Sequence, residues 1–179
     1  MTPVVIDTNV LLVANGSHQD VSDTCREACV SALLARQRSG MVAIDVENLI
    51  LGEYLNKTHP NRPKGTGDAF LKWLLQNQFN ASRVCRVPLT KTGPDRFVEF
   101  PDPLLEEQFD PPDRKFAAVA NAHPAKPPIW QAADSKWLDW WPQLAAKGIS
   151  VDFLCPADTA KFYAKKFSKR KVPAFPPRP

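Results

Sequence analysis

Short apolar runs that stop at or near a carboxylate recur along this chain and predict its strands. Val4, Val5 and Ile6 are β-branched and uninterrupted, which is typical of a strand buried on both faces of a parallel sheet. Asp7 follows this run directly. Four later runs predict further strands: residues 41–45, 83–87, 129–134 and 149–155.

Helical patterns occupy the intervals between these runs. The predicted helices cover residues 22–39, 46–57, 68–79 and 113–122, with a shorter helix that ends at Gly148. Ser22, between Asp20 and Asp23, offers an N-cap for the first of them, and Gly40 closes it. The alanines in the helix over 113–122 allow it to lie close to the sheet.

One carboxylate interrupts the apolar face of the helix predicted over 46–57. Val46, Leu49 and Ile50 form a stripe at helical spacing, and Glu53 falls in the middle of it. A carboxylate on an apolar face is costly unless a cation compensates it, which makes Glu53 a candidate site residue. Asp45 is interpreted as the N-cap of the same helix.

Three segments have the composition of loops or tails. Residues 58–68 are basic and rich in turn residues. Residues 92–112 are too rich in proline and acid for a regular core element, so we expect a long loop of the kind that carries function. The chain from Pro156 is basic and proline-rich, which divides the sequence into a domain over 1–155 and a tail over 156–179.

The charge is distributed unevenly over the 179 residues. The net charge is +4, yet residues 57–91 carry +6, residues 161–179 carry +7, and the remainder carries −9. An acidic body with two basic segments suits a protein that holds cations and binds a polyanion. Ordinary solvated surfaces explain the same charges, and a disordered solubilising tail explains residues 161–179 equally well.

The cysteines and the hydropathy indicate a cytoplasmic protein without a membrane segment. No basic leader with a long apolar core occurs, and no apolar run approaches twenty residues. The four cysteines are expected to be reduced thiols, and they are Cys25, Cys29, Cys85 and Cys155. Since they form neither a CxxC pair nor a cluster with histidine, no zinc site is expected.

Carboxylates at predicted strand ends are candidates for chemistry. Ligands of open α/β sheets gather at the carboxyl ends of the strands, where Asp7 and Asp134 are expected. Asp7 could instead cap the following helix. Asp113 lies in the first turn of a predicted helix, where the helix dipole alone favours an acid. Asp139, in the helix after Asp134, is a further candidate.

Taken together, four segments resemble the motifs of PIN-domain nucleases in order and approximate spacing. These segments are VVIDTNVLL, ILGEYLNK, FDPPDRKFAAVANA and IWQAADSKW. The resemblance covers residues 3 to about 155 and implies a three-layer α/β/α sandwich with a central parallel sheet. It also implies cleavage of phosphodiesters, most commonly in single-stranded RNA, that depends on Mg²⁺ or Mn²⁺. The acids carried over are Asp7, Glu53, Asp113 and Asp134, with Asn9 and Ser135 as polar supports.

The chemistry of four carboxylates agrees with that assignment. Acids brought together raise each other's pKa, so a cation must lie among them if they are to stay ionised at neutral pH. Oxygen ligands favour Mg²⁺ or Mn²⁺, and two such ions about 3.5 to 4 Å apart can activate water and stabilise the leaving oxygen. No histidine or cysteine nucleophile is then required.

Other classes fit less well. A haloacid-dehalogenase phosphatase requires a second aspartate two residues after the first, where this chain has Asn9. A dinucleotide-binding enzyme requires a glycine-rich turn after the first strand, and residues 8–12 contain no glycine. The alternative that stays open is a catalytically silent PIN-like module that binds nucleic acid or protein. The sequence also leaves open whether the substrate is RNA or DNA, whether a cognate inhibitor or partner protein exists, and whether the protein forms a homodimer.

Overall fold

The computed structural model describes residues 2–177. The helices in this range are α1 (Thr8–Ala14), α2 (Asp23–Ser39), α3 (Leu49–Lys57), α4 (Thr66–Asn77), α5 (Pro103–Gln108), α6 (Arg114–Ala122), α7 (Trp137–Ala146) and α8 (Pro156–Lys166). The strands are β1 (Val5–Ile6), β2 (Val42–Asp45), β3 (Val84–Val87), β4 (Lys91–Gly93), β5 (Arg96–Phe97), β6 (Ile129–Gln131) and β7 (Val151–Phe153). A single 3₁₀ turn, Pro111–Asp113, precedes α6. No helix within residues 2–177 is both long and apolar enough to cross a membrane.

Parallel strands form the centre of a mixed α/β fold, as the sequence predicts. β6 pairs in parallel with β1 on one side and with β7 on the other. β2 pairs in parallel with β3, and a parallel bridge between Val4 and Val42 joins this pair to the β1 edge. Val4, Val5 and Ile6 are at most 2 % exposed, which agrees with a strand that is covered on both faces.

Helices cover these strands and bury a single apolar core. α1, α2 and α4 contact one another, while α3 and α6 contact β2, and α6 also contacts β1. α4 approaches α1 closely because Gly67 has no side chain; a Cβ at this position would overlap the carbonyl oxygen of Leu11. The fold is therefore mixed α/β around parallel strands.

Of the two predicted N-caps, Ser22 is confirmed, whereas the N-cap residue of α3 is Asn48 and Asp45 lies at the end of β2. Ser22 accepts the Cys25 N–H at 3.1 Å as the N-cap of α2, as predicted. The Asp45 carboxylate accepts the N–H groups at the start of α3, at 2.6 and 2.8 Å. α3 therefore begins at Leu49, and Val46, which was placed on its apolar stripe, lies outside the helix and is 43 % exposed.

The long loop predicted over residues 92–112 is wrong in part, because this segment contains regular structure. β4 and β5 form an antiparallel pair, and α5 follows. Asp102 caps α5 by accepting the N–H groups of Leu104 and Leu105, and Pro103 occupies its first turn. Aspartate before proline is a helix-start signal that the overall composition of the segment concealed.

An aromatic cluster ties this segment to α7. The Phe109 ring stacks on Trp140, with 3.9 Å between centroids, and meets Trp137 edge-on at 5.1 Å. Phe100 contacts Phe109 from the other side at 5.3 Å. Because Phe109 is 1 % exposed, the cluster fixes the chain shortly before the 3₁₀ turn that carries Asp113.

The prediction of four reduced cysteines is wrong, since Cys25 and Cys155 form a disulfide across 130 residues of sequence. Cys29 is free and buried, with its Sγ 3.8 Å from the Sγ of Cys155, and Cys85 is free and half-buried. The pairing joins α2 to the residue before α8. Such a long-range pair depends on tertiary packing, which the local sequence does not encode.

The segment assigned to a tail begins as a packed helix. In α8, Tyr163 and Thr159 are buried, and the Thr159 hydroxyl donates to the Ala132 carbonyl at 3.0 Å. Beyond α8, the Trp141 Nε1–H donates to the Ala174 carbonyl at 2.9 Å. These contacts oppose a disordered tail up to residue 177, while residues 178–179 lie outside the described residues. The division at 155 and 156 stays a prediction.

Candidate functional site

Asp7 is the N-cap of α1, one of the two roles that the sequence left open, while its role in chemistry stays a prediction. It follows β1 directly, and its Oδ1 accepts the Asn9 N–H at 2.8 Å as the N-cap of α1. The side chain is only 5 % exposed. Burial raises the pKa of Asp7 well above its usual range, and the charges of Asp113, Asp134 and Glu53 raise it further, against the opposing hydrogen bond from Asn9.

Asp113 lies at the end of the 3₁₀ turn before α6 and experiences the same crowding. Burial raises the pKa of Asp113 to about 7, and the charges of Asp134, Asp110 and Glu53 contribute in the same direction. The ammonium of Lys115 opposes this shift. The four acids predicted from the sequence therefore act electrostatically on one another, with an excess of negative charge around Asp7 and Asp113.

Glu53 is held by two side chains that the sequence analysis did not identify. The Thr8 hydroxyl donates to Glu53 Oε1 at 2.6 Å, which ties α3 to the first residue of α1. The Lys115 ammonium forms an ion pair with Oε2 and also donates to the Pro112 carbonyl. The half-buried carboxylate of Glu53 thus has its compensating cation, and in this structure that cation is a lysine.

Asp134 lies three residues after β6 and not at its end, which corrects the predicted strand over 129–134. The β6–β7 ladder ends at the pair Gln131 and Phe153, and the chain then turns. Asp134 Oδ1 accepts the Lys136 N–H at 3.1 Å. The Asn9 side chain accepts the Ala133 N–H at 2.8 Å, so it holds this turn against the start of α1.

A second lysine belongs to the same region. The Lys136 ammonium forms an ion pair with Asp110, and this hydrogen bond raises the pKa of Lys136, despite the opposing effect of burial. Asp110 comes three residues before Asp113, and sequence reasoning missed it together with Thr8, Lys115 and Lys136. The contacts of these residues join separate elements and leave no local signal in the sequence. The one available signal is the short spacing of Asp110, Asp113 and Lys115, which could have indicated Asp110 and Lys115.

The acids interact without forming a tight cluster. Among the side chains of residues 2–177, the only group of three or more potential metal ligands with all ligand atoms within 4.8 Å is Cys25, Cys29 and Cys155. The donor chemistry of Asp7, Glu53, Asp113 and Asp134 nevertheless fits a hard divalent cation, because all four offer carboxylate oxygens. Burial and, in addition, the neighbouring acids raise the pKa of Asp7 and of Asp113, and a bound divalent cation would favour their ionised forms.

A cleft of about 540 Å³ opens beside Asp134. Its lining comes from α1, from the turn after β6, from the segment between α1 and α2, and from α8. These residues are Asn9, His18, Ala133, Asp134, Ser135, Phe162, Lys165 and Lys166. The polar supports Asn9 and Ser135 therefore share one cavity with a predicted site acid and two lysines.

Asp139 has a different set of contacts. Its Oδ1 accepts the Tyr163 hydroxyl at 2.7 Å and the Arg170 guanidinium at 3.2 Å. Both partners belong to α8 or to the segment just after it. Asp139 therefore anchors the C-terminal segment to α7, while the site role considered from sequence stays untested.

No protein-family model, curated protein or solved structure matches the chain. The resemblance to PIN-domain nucleases therefore rests on the four sequence motifs, and the function has to be inferred from the residues around Asp7.

Proposed function

We propose that the protein is a divalent-metal-dependent endonuclease that hydrolyses phosphodiester bonds, with single-stranded RNA as its substrate, on a three-layer PIN-like α/β/α sandwich. The observation that carries the proposal is that three acids from separate elements lie within electrostatic reach of Asp7 at the carboxyl end of β1. Burial raises the pKa of Asp7, and the charges of Asp113, Asp134 and Glu53 raise it further. Acids with perturbed pKa values are concentrated at functional sites, which supports the proposal.

The proposed metal is Mg²⁺ or Mn²⁺, held by Asp7, Glu53, Asp113 and Asp134. When bound, it would lower the pKa of the attacking water and offset the charge on the reacting phosphate. The chain itself orients the acids: the Thr8 hydroxyl fixes Glu53, and the Asn9 side chain holds the turn that leads to Asp134. The burial of Asp7 excludes water from its carboxylate.

One observation favours the alternative, a catalytically silent module that binds nucleic acid or protein. Lys115 pairs with Glu53, and Lys136 pairs with Asp110. Each ammonium supplies a positive charge that a metal would otherwise provide. In the silent module both ion pairs would persist. In the nuclease a bound metal would replace the Lys115 ammonium at Glu53.

The test is cleavage of end-labelled single-stranded RNA and DNA by purified protein with Mn²⁺, with Mg²⁺, or with EDTA. We expect cleavage of RNA in either metal and none in EDTA. Asp7→Asn should abolish cleavage, while its melting temperature in EDTA equals or exceeds that of the wild type, because asparagine keeps the N-cap and removes the repulsion.

The matched control is Glu27→Gln, which removes an exposed acid from α2 and should leave cleavage unchanged. Full cleavage by carefully purified Asp7→Asn protein would overturn the proposal. Metal-independent binding of RNA without any cleavage by the wild type would favour the silent module.

The remaining expectations stay proposals. A cognate inhibitor or partner protein, a homodimer and a cytoplasmic location are all compatible with the proposed nuclease. The disulfide bears on location, since disulfides form and persist mainly in oxidising compartments and are rare in the cytosol.

A further inference from the structure

α8 presents one face to the cleft beside Asp134. Phe162, Lys165 and Lys166 are spaced three and four residues apart, so they share one side of the helix, and all three line the cleft. Lys165 and Lys166 are exposed. Neither lysine forms an ion pair with any side chain of residues 2–177.

Neighbouring residues of α8 fix this orientation through their contacts with the body of the protein. Thr159 and Tyr163 point into the protein, where Thr159 donates to Ala132 and Tyr163 donates to Asp139. At the helix start, Asp158 accepts the N–H and the hydroxyl of Ser22 at 2.9 and 2.6 Å. The cleft-lining face is therefore held rigidly and is not part of a loose tail.

An aromatic pair stands on the same wall of the cleft. The rings of His18 and Phe162 lie 5.6 Å apart, centroid to centroid, with 33° between their planes, and both residues are half-buried. Because the two rings already contact each other, a planar ligand would stack on their outer face and not between them. The Lys161 ammonium lies 5.8 Å from the Phe162 ring centroid and adds positive charge there.

Three arginines of the other basic segments have structural partners. Arg83 donates to the carbonyls of Gln37 and Arg38, and Arg86 donates to the carbonyl of Val46. After α8, Arg170 binds Asp139. By contrast, Lys165 and Lys166 form no ion pair within residues 2–177 and line the cleft that contains Asp134.

From this arrangement we propose that the cleft binds one nucleotide of a single-stranded nucleic acid next to the scissile phosphate. The unpaired base stacks on the His18 and Phe162 rings, while Lys165 and Lys166 contact the adjoining phosphates. The ligand must be single-stranded because a base in a duplex has no free face for the rings. The link from this binding site to cleavage rests on the proposed function, whereas the binding site itself does not.

Point variants test the inference better than truncation, because removal of α8 would also remove the buried Tyr163. The probe is a fluorescein-labelled single-stranded RNA, with binding followed by anisotropy in EDTA over a range of salt. For Lys165→Gln/Lys166→Gln we expect weaker binding and a slope of log affinity against log salt that is lower by about 1.4. The matched control is Lys169→Gln/Lys171→Gln, which removes the same charge from residues that do not line the cleft.

Phe162→Leu tests stacking separately from apolar packing, because leucine keeps a large apolar side chain and lacks a ring. We expect affinity to fall by about tenfold in Phe162→Leu and to be retained in Phe162→Trp. A duplex RNA of the same length should bind more weakly than the single strand and should not distinguish these two variants.

The results separate this inference from the proposed function. Equal affinity and salt slope in the two double-lysine variants, or no binding by the wild type, would overturn the inference. Unchanged affinity in Phe162→Leu would overturn the stacking contact. If the wild type cleaves RNA while all cleft variants bind normally, the nuclease stands and the cleft assignment fails. If the binding pattern is as expected and no cleavage occurs with any metal, the cleft assignment stands and the nuclease fails.

Discussion

Asp7 shows how one carboxylate can cap a helix while burial disfavours its own charge. As an N-cap it satisfies a backbone N–H at the start of α1. Burial and three neighbouring acids meanwhile raise its pKa, so that its charged form is disfavoured in the folded protein. An asparagine would serve the cap equally well, so the cap alone does not explain an aspartate here.

Asp68 shows the opposite behaviour and provides a prediction about pH. Burial opposes its charge, but hydrogen bonds from the N–H groups of His59 and Lys64 and from the Asn15 side chain lower its pKa below the usual range. A lowered pKa means that the charged form stabilises the fold at pH values above about 3.9, and that this contribution disappears as pH falls through the folded-state pKa.

Asp68→Asn should therefore unfold at lower urea concentration than the wild type at pH 7, with a loss of about 1 to 3 kcal/mol. The difference should shrink as the pH is lowered from 5 towards 2. Asp95→Asn, in the turn between β4 and β5, is the control and should show little change. An equal loss of stability for Asp68→Asn at pH 7 and at pH 2 would contradict the role of its charge.

Lys115 provides a prediction about the metal. Lys115→Met keeps most of the side-chain volume but leaves Glu53 without its cation. The free energy of unfolding in EDTA should therefore fall by about 2 kcal/mol, and the melting temperature should fall with it. If a metal binds at Glu53, it no longer competes with an ammonium, and Mn²⁺ should raise the melting temperature of Lys115→Met more than that of the wild type.

Adding Glu53→Gln to Lys115→Met should reduce the extra rise in melting temperature that Mn²⁺ causes in Lys115→Met. Differential scanning fluorimetry at matched Mn²⁺ concentrations measures all three proteins. An Mn²⁺ shift that is the same in all of them would place the cation away from Glu53.

At the scale of elements, the sequence predicts what local pattern and caps determine. The apolar run before Asp7, the Ser22 cap of α2 and the parallel strands are all observed. The predictions that fail have two kinds of cause, one long-range and one local. β6 ends at Gln131 because its ladder with β7 ends there, and Val46 is exposed because Asp45 starts α3 three residues later than the apolar pattern suggests.

For the candidate site, the sequence predicts the acids but not the lysines that pair with them. Each of the four acids was visible at a strand end, in a helix stripe or at a helix start, and the structure brings their charges within reach of Asp7. The lysines that pair with Glu53 and Asp110 were not visible, because each pair joins residues that are 62 or 26 positions apart. Sequence pattern identifies unusual acids, while their partners depend on tertiary packing.

The aromatic cluster around α5 gives a prediction at this scale. Phe109 is buried between Phe100 and the tryptophans of α7, so Phe109→Ala should lower the free energy of unfolding by about 3 to 5 kcal/mol. Leu104→Ala, on α5 and 77 % exposed, should lower it by less than about 1 kcal/mol. Similar losses for both variants in chemical denaturation would show that the segment does not pack as described.

At the scale of the whole molecule, the disulfide joins α2, in the N-terminal part of the chain, to the residue before α8, in the C-terminal part. Cys25 lies in the first turn of α2, and Cys155 immediately precedes α8, whose cleft-lining face depends on its docking against the body. Closing a loop of 130 residues restricts the unfolded chain, and loop-entropy models assign such a bond about 2 to 5 kcal/mol. Burial raises the pKa of the nearby Cys29 thiol to about 12, with a further contribution from the Asp158 charge.

Two measurements follow from this arrangement. Protein denatured without reductant should react with iodoacetamide at two cysteines, Cys29 and Cys85, and at all four after reduction. Reduction should lower the melting temperature of the wild type and of the Cys85→Ser control, but not that of Cys25→Ala/Cys155→Ala, which already lacks the bond. In the native protein at pH 8, Cys29 should react slowly, because its thiol stays protonated and is buried. Four reactive cysteines without reductant, together with a melting temperature that does not respond to reductant, would show that all four cysteines are reduced, as expected from the sequence.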